Sequence, residues 1–200
     1  GHWVWFPIPH YVDTFTTEES GAVTTPNTLE AGTYELVEIK APYGYLLDDK
    51  PIRFTVSTNT AYELAQDGKT PVITVSKEDQ SVKGRISVMK IGEQLVDVEE
   101  DENGNLHFIY DKLPVTDAEF VVKAAEDIYS ADNQGDLLFK KDEIVEQLIT
   151  FNGHAETDKL PLGKYKVYEV IASDGFVLNK EIKEVELTYK DQETPVVSEN

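Results

Sequence analysis

The stretch Leu160-Pro161-Leu162-Gly163-Lys164-Tyr165-Lys166-Val167-Tyr168-Glu169 combines a turn ending in glycine with a strand pattern of the form Tyr-x-Val-x-Glu. A similar stretch, Leu29-Glu30-Ala31-Gly32-Thr33-Tyr34-Glu35-Leu36-Val37-Glu38, lies 131 positions earlier (169 − 38). Side chains alternate between the two faces of a strand, so each glutamate shares a face with large apolar residues. A carboxyl group directed into a core is costly unless it is neutral or has a dedicated partner. The repeated placement therefore predicts chemistry inside the core.

The repeat also predicts the domain organisation. A chain of 200 residues accommodates two domains of about 100 residues each. A second pair of matching runs, Thr70-Pro71-Val72 and Thr194-Pro195-Val196, is 124 positions apart (194 − 70). A polar stretch from Gln80 to Gly84 separates two apolar segments, so we expect one domain over residues 1–80 and a second over residues 81–200.

Short segments rich in β-branched and aromatic residues, bounded by Gly, Pro, Asn and Asp, predict an all-β fold of the sandwich type. The predicted strands are Phe15–Thr17, Thr33–Lys40, Ile52–Ser57, Val72–Ser76, Ile86–Lys90, Leu106–Tyr110, Glu119–Lys123, Tyr165–Ile171 and Val185–Tyr189. Glu143–Phe151 fits either a helix or a strand, and we favour a strand. Ala124–Tyr129 is predicted to form one helical turn, and Asp101–Asn105 a hairpin turn.

Composition excludes several classes of function. A net charge of −20 and a pI near 4.4 make nucleic acid and anionic membranes poor partners. The absence of cysteine rules out disulfides, thiolate nucleophiles and cysteine-based metal sites. The sequence contains no signal peptide and no apolar run long enough to span a membrane, so composition alone leaves the compartment open.

One predicted strand in the second half of the chain has a lysine on its apolar face. In Gly84-Arg85-Ile86-Ser87-Val88-Met89-Lys90, strand alternation places Lys90 on the same face as Ile86 and Val88. Lysine is rarely buried without a partner. We therefore expect Lys90 and Glu169 to point into the same core from separate strands.

Together these motifs resemble the Cna-B (SpaA-like, prealbumin-like) domains of Gram-positive surface proteins and pilins. The family has a first strand ending in Lys, a Leu-Pro-x-Gly-x-Tyr-x-x-x-Glu box, and a last strand carrying Asn or Asp. The resemblance implies tandem β-sandwich domains with an Ig-like Greek-key arrangement. It also implies an intramolecular isopeptide bond between the Lys and the Asn or Asp, promoted by the boxed Glu.

The resemblance assigns roles to four residues. Lys90 would supply the amine, and Glu169 and Glu38 would be the promoting glutamates of the two domains. Burial disfavours the charged forms of both residue types, which suits a neutral amine nucleophile and an acid that stabilises the oxyanion and relays protons. Asp79 is the candidate acceptor of the first domain, although Lys77 shares its face.

Spacing indicates that each domain lacks one of the three residues, Lys, Glu and Asn or Asp, that an isopeptide bond requires. The interval from Lys90 to Glu169, applied to Glu38, places the first domain's lysine before residue 1. We therefore expect the first domain to lack its first strand. The offset of 124, applied to Asp79, places the second domain's acceptor at position 203, past Asn200, so its last strand is also expected to be incomplete.

Several other motifs have a simpler structural explanation. Leu113–Asp117 imitates a sortase pentapeptide, but it is internal and has Asp117 where Gly is required. The aromatic run Trp3–Phe6, with Tyr11, could stack on sugars, yet core packing is favoured. Asp101, Asn103 and Asn105 imitate a calcium loop without its bidentate carboxylate, because Lys112 occupies that position. The four histidines, His2, His10, His107 and His154, are scattered without metal or catalytic spacing.

The sequence therefore predicts a stalk or backbone module of a cell-wall-anchored surface protein, pilin or adhesin, located outside a Gram-positive cell. Its expected partners are neighbouring domains of the same protein, pilin subunits, or a host or glycan ligand. No cofactor, metal or nucleic acid is expected, and no membrane contact. We expect no turnover enzyme, only a single self-modification. The alternative is an adhesin module that binds glycan or host protein directly.

Overall fold

A computed structural model describes residues 10–18, 21–25, 28–58, 63–64, 68, 71–131 and 135–199. The backbone divides into two compact units, unit 1 with Gly1–Leu36 and Ile52–Ser76, and unit 2 with Val37–Pro51 and Lys77–Asn200. Unit 2 thus includes segments 37–51 and 77–80, which the sequence-based division at residue 80 assigns to the first domain. That division stays a prediction.

The described residues contain strands and no helix, so none of them forms a helix able to cross a membrane. In chain order the strands are β1 (Gly32–Leu36), β2 (Ile52–Val56), β3 (Glu63–Leu64), β4 (Pro71–Val72), β5 (Lys83–Met89), β6 (Ile91–Glu100), β7 (Leu106–Pro114), β8 (Glu119–Ala124), β9 (Ile128–Tyr129), β10 (Leu137–Phe139), β11 (Ile144–Ile149), β12 (His154–Glu156), β13 (Leu160–Pro161), β14 (Gly163–Ile171), β15 (Ile182–Leu187) and β16 (Val196–Glu199). The predicted all-β class is confirmed.

Unit 1 contains two small antiparallel sheets, β1 with β2 and β3 with β4. Tyr34 lies opposite Phe54 in the first of these, and the two rings stack with their centroids 5.6 Å apart. Side chains on this strand pair alternate between half-buried and exposed, as the strand pattern predicts.

Unit 2 is a β-sandwich. One sheet has the strand order β11-β8-β14-β15, and the other sets β12 and β13 beside β5, with β16 also paired to β5 in parallel. Inward side chains from both sheets form the core. Its buried members are Ile86, Val122, Ala124, Ile128, Leu148, Ala155, Leu160, Tyr165, Val167 and Leu187.

Most predicted strands are present, and β11 confirms the strand interpretation of 143–151. The predicted strand Thr33–Lys40 ends at Leu36, so Glu38 lies beyond it and is half-buried. Three further predictions fail. Phe15–Thr17 is not a strand, and the predicted strand Val72–Ser76 is reduced to β4. Ala124–Tyr129 is not a helical turn: the Ala124 amide donates to Glu143 O and the Ala125 amide to Lys164 O, so neighbouring segments hold this backbone extended.

Candidate functional site

Strand β14 places Glu169 in the core. Tyr165, Val167 and Glu169 alternate along it with exposed or half-buried residues, and they are 0%, 7% and 4% exposed. Glu169 lies opposite Phe120 of β8, so an internal strand of the four-stranded sheet carries the acid. The predicted inward direction of Glu169 is confirmed.

Lys90 occupies the junction between β5 and β6. Its amide donates to Gly153 O at 2.7 Å, and its carbonyl accepts the Val115 amide at 3.0 Å. On the opposite face of β5, Arg85 and Ser87 both hydrogen-bond the Glu156 carboxylate. The polar side chains of Arg85 and Ser87 mark the outward face of β5. Lys90 is on the other face and points inward, as strand alternation predicts.

The lysine and the glutamate meet. Lys90 Nζ lies 2.9 Å from Glu169 Oε2, and the side chains are 18% and 1% exposed. Glu169 Oε1 accepts the backbone amide of Asn179 at 3.0 Å. Within the described residues Oε2 has no hydrogen bond of ordinary geometry, so the close lysine nitrogen is a purely electrostatic partner there. A carboxyl group this buried depends on that nitrogen for charge compensation.

The first copy of the motif holds its glutamate in the same way. Glu38 Oε2 accepts the amide of Asp48 at 2.9 Å, ten residues downstream (48 − 38). The Asn179 amide that binds Glu169 is also ten residues downstream (179 − 169). In both copies the glutamate thus accepts an amide from the loop that follows the strand of the motif; Glu169 lies on β14, whereas Glu38 lies two residues after β1.

Further hydrogen bonds repeat with the same offset of 131. The Asp48 carboxylate accepts the Lys50 amide at 3.1 Å, and the Asn179 side-chain oxygen accepts the Glu181 amide at 2.9 Å. Glycines at the corresponding turns, Gly44 and Gly175, have φ values of +85° and +86°. The sequence repeat is therefore a repeat of the loop that positions each glutamate.

The tyrosine of the motif also repeats its contact. Tyr34 donates its hydroxyl proton to Glu30 O at 2.9 Å, and Tyr165 donates to Pro161 O at 2.6 Å. In each copy the acceptor lies four residues before the tyrosine. This bond ties the turn to the start of the strand of each motif, β1 or β14.

Glu38 has an acid as its neighbour where Glu169 has a lysine. The Asp79 carboxyl group lies close enough to the Glu38 carboxyl group to interact with it. Burial, followed by the neighbouring Glu38, raises the pKa of Asp79, while Lys77 opposes the shift. Lys77 Nζ contacts the carbonyl oxygens of Asp48 and Lys50 and lies 3.7 Å from Asp48 Oδ2.

The structure therefore brings the four predicted site residues together as two separate pairs, Lys90 with Glu169 and Glu38 with Asp79. Sequence reasoning missed the residues that hold them: the amides of Asp48 and Asn179, and the glycine at position 153. The signal for the first two was the ungapped repeat through residues 41–50 and 172–181, which includes Ala41/Ala172, Gly44/Gly175 and Leu47/Leu178.

The other motifs behave as structural elements where the structure describes them. The Asp101 carboxylate accepts the amides of Asn103 and Asn105, which confirms the hairpin turn. Leu113 and Pro114 end β7, and Asp117 follows in a turn with φ of +63°. Trp3, Trp5 and Phe6 lie outside the described residues. No group of three potential metal ligands occurs within the described part of the chain.

Comparison with protein families matches this chain to the SpaA family, a prealbumin-like fold domain, over residues 6–70 and 109–200. Glu38 and Glu169 lie within the matched stretches, whereas Asp79 and Lys90 lie between them. Comparison with curated protein sequences gave no significant match.

Among solved structures, this chain is similar to the Bacillus anthracis TIE protein, with 26% sequence identity and a TM-score of 0.54. The likeness covers 92% of this chain and 26% of that protein, so the chain spans about a quarter of its length. BcpA, the major pilin subunit of Bacillus cereus, and a variant of it match at 13% and 14% identity with TM-scores of 0.23 and 0.24. Each of these matches covers 85% of this chain and 84% of the pilin chain.

Proposed function

The chain belongs to the SpaA family of prealbumin-like fold domains, and we propose that it is a structural module of a bacterial surface protein or pilin, stabilised by an intramolecular isopeptide bond. Lys90 supplies the amine of this bond, and Glu169 promotes its formation. One observation carries the proposal: Lys90 Nζ lies 2.9 Å from a glutamate side chain that is 1% exposed.

Strand register supports an acceptor shortly after β16. β16 runs parallel to β5, with Val196 opposite Lys83 and Glu199 opposite Ile86. Continued at the same register for four more residues, this pairing sets position 203 opposite Lys90. The 124-residue spacing of the two Thr-Pro-Val runs, applied to Asp79, points to the same position (79 + 124). We therefore assign the acceptor to an Asn or Asp at or beside position 203 of the longer polypeptide.

The reaction balances without a cofactor. A proton passes from Lys90 Nζ to the Glu169 carboxylate 2.9 Å away, and the freed amine attacks the side-chain carbonyl carbon of the acceptor, so that a C–N bond forms. The tetrahedral oxyanion is stabilised by the Glu169 carboxyl group, which relays a proton from the amine to the leaving group. Ammonia leaves from Asn, or water from Asp. Fixed strands hold the reactants together, so the step is effectively unimolecular.

The first copy supports the same assignment from the acceptor side. The pKa of Asp79 is raised by burial and by the neighbouring Glu38. An Asp acceptor reacts as its neutral acid, so a raised pKa favours the reactive form. Glu38 is therefore proposed as the promoter and Asp79 as the acceptor for a lysine on a preceding strand.

Such a module acts mechanically. A bond between the first and last strands of a sandwich carries tension covalently, before the sheets must separate. We propose that the module holds a binding region away from the cell, as a stalk or backbone anchored to the cell wall. Its neighbours are then other domains of the same surface protein or other pilin subunits.

Intact mass of a longer polypeptide, extended past Asn200, tests the proposal. We expect a mass lower than the sequence mass by one ammonia or one water, with the cross-linked peptide containing Lys90. Glu169→Gln and Lys90→Arg should each restore the full mass. Glu146→Gln, a change at another partly buried glutamate, should leave the loss unchanged. An unmodified mass in the folded extended chain would exclude the bond.

A further inference from the structure

The strand pair β6–β7 is a ribbon that pairs with no other strand of the described residues. It leaves the sandwich directly after Lys90 and returns at Val115, and nine residues of β7 give it a length of about 30 Å. A two-stranded ribbon is only marginally stable in water by itself. Neither the proposed cross-link nor the core accounts for a ribbon of this length.

Pairing sorts the ribbon into two different faces. One face, called here the apolar face, carries six apolar side chains that are 43–60% exposed: Ile91, Leu95, Val98, Leu106, Phe108 and Tyr110. Glu93, Glu100 and Lys112 lie on the same face. A register shift between Leu95 and Asp97 sets Val98, rather than Asp97, on this face. The bulge thus places Val98 opposite Phe108, while the Glu93–Lys112 pair interrupts the apolar row between Ile91 and Leu95.

The opposite face, called here the acidic face, carries Asp97, Glu99 and Asp111, together with Gln94, His107, Ile109 and Leu113. Residues 91–114 contain seven Asp or Glu and one Lys, and the whole chain has a net charge of −20. A second copy of this chain would bring like charges together at the same surface, which disfavours self-association. The complementary partner is cationic.

We propose that this ribbon is a docking site for an extended, basic segment of another polypeptide, in which apolar residues alternate with Lys or Arg. Such a segment adds a strand along the outer edge of β7, which has no bulge to interrupt pairing. Its apolar side chains extend the row of Leu106, Phe108 and Tyr110, and its cationic side chains lie on the face that carries Asp111 of β7 and Asp97 and Glu99 of β6. An exposed apolar surface with an acidic opposite side fits this occupant.

Fluorescence anisotropy with the 200-residue chain tests the proposal. The probe is a labelled peptide of alternating Val and Lys, and the comparison peptides alternate Val with Glu or Ser with Lys. We expect only the Val–Lys peptide to bind well, with an affinity that falls as salt rises. Phe108→Ser with Tyr110→Ser should weaken binding about tenfold. Asp97→Lys with Glu99→Lys should also weaken binding and reduce its salt dependence.

Matched controls separate docking from general effects. Phe151→Ser removes an aromatic side chain that is 78% exposed and lies outside the ribbon, so it should leave binding unchanged. Amide chemical shifts in the wild-type chain should move along β7. Equal binding of either comparison peptide, shifts located elsewhere, or no binding at all would overturn the proposal. Self-association of the chain through Phe108 and Tyr110 would overturn it too.

Discussion

At the scale of single residues, the stability of the site depends on the few groups that contact the Glu169 carboxyl group. Glu169 receives one backbone amide and one lysine nitrogen, and its side chain is 1% exposed. Lys90 keeps 18% exposure, so water reaches the lysine but hardly reaches the acid. Loss of the lysine would therefore leave a buried carboxyl group without charge compensation.

Lys90→Met should destabilise the 200-residue chain by about 3 kcal/mol, because the stranded carboxyl group bears the desolvation cost. Lys90→Met combined with Glu169→Leu should recover most of that loss, since both charges leave together. Urea unfolding of the single and double variants measures the coupling. Lys166→Met, which breaks the exposed pair with Asp142 at 3.3 Å, should cost less than about 1 kcal/mol. Equal costs for the two lysine substitutions would contradict this account.

The acid pair of the first copy has a pH signature. Burial and the neighbouring Glu38 raise the pKa of Asp79 in the folded chain above its usual 3.8. The folded chain then binds this proton more tightly than the unfolded chain does. The stabilising contribution of Asp79 is therefore complete below pH 3.8 and is lost as pH rises through the folded pKa.

Asp79→Asn should accordingly change the pH dependence of the free energy of unfolding. The variant should gain stability relative to the wild type as pH rises from 4 to 7, because it removes an ionisation that folding opposes. Urea titrations at several pH values give the difference. Asp49→Asn removes an exposed carboxylate from the same loop region and controls for net charge. A difference between Asp79→Asn and wild type that does not vary with pH would contradict the expected linkage.

At the scale of elements, the loop at Gly153 fixes the position of the Lys90 backbone. Gly153 has φ of +78°, and its carbonyl accepts the Lys90 amide. A Cβ atom here would lie 2.7 Å from Pro114 Cβ and 2.9 Å from Lys90 O. Both backbone conformation and close approach therefore require glycine at this position.

Gly153→Ala should lower the free energy of unfolding more than Gly175→Ala does. The difference measures the cost of the steric clash at position 153. Both glycines have positive φ, but the Cβ at Gly175 would meet no atom within 4 Å. We expect about 1 kcal/mol for Gly175→Ala from the backbone alone, and about 2–4 kcal/mol for Gly153→Ala. Thermal unfolding gives the costs, and hydrogen exchange at the Lys90 amide should quicken only in Gly153→Ala. Equal costs would show that the loop relaxes freely.

The elements also show what the sequence could predict. Alternation alone placed Glu169 and Lys90 on the inner face, because each lies on or beside a regular strand with apolar neighbours. It overlooked β6, whose bulge between Leu95 and Asp97 interrupts the period-two pattern. It could not foresee the backbone amide of Asn179 as a partner of Glu169, since a loop contact leaves no periodic signal. The helical turn predicted at Ala124–Tyr129 failed because tertiary hydrogen bonds outweighed local propensity.

At the scale of the whole molecule, the parallel pairing of β16 with β5 determines what a cross-link would enclose. A bond from Lys90 to position 203 closes nearly the whole sandwich of unit 2 into one loop. The unfolded chain then loses much of its freedom, while the folded chain, in which the two strands are already adjacent, loses little. On the chain-entropy model, a loop of about 110 residues adds about 4–5 kcal/mol to the free energy of unfolding.

A thermodynamic cycle between two lengths of chain tests that gain. Lys90→Arg keeps a positive charge near Glu169 but cannot form the amide bond. In the 200-residue chain, which stops before position 203, it should change the free energy of unfolding by less than about 1.5 kcal/mol, the cost of repacking a partly buried side chain. In the extended chain it should cost about 4–5 kcal/mol more, because the cross-link is lost. Urea unfolding of all four proteins gives the difference, and an equal effect at both lengths would mean that the extended strand adds only hydrogen bonds.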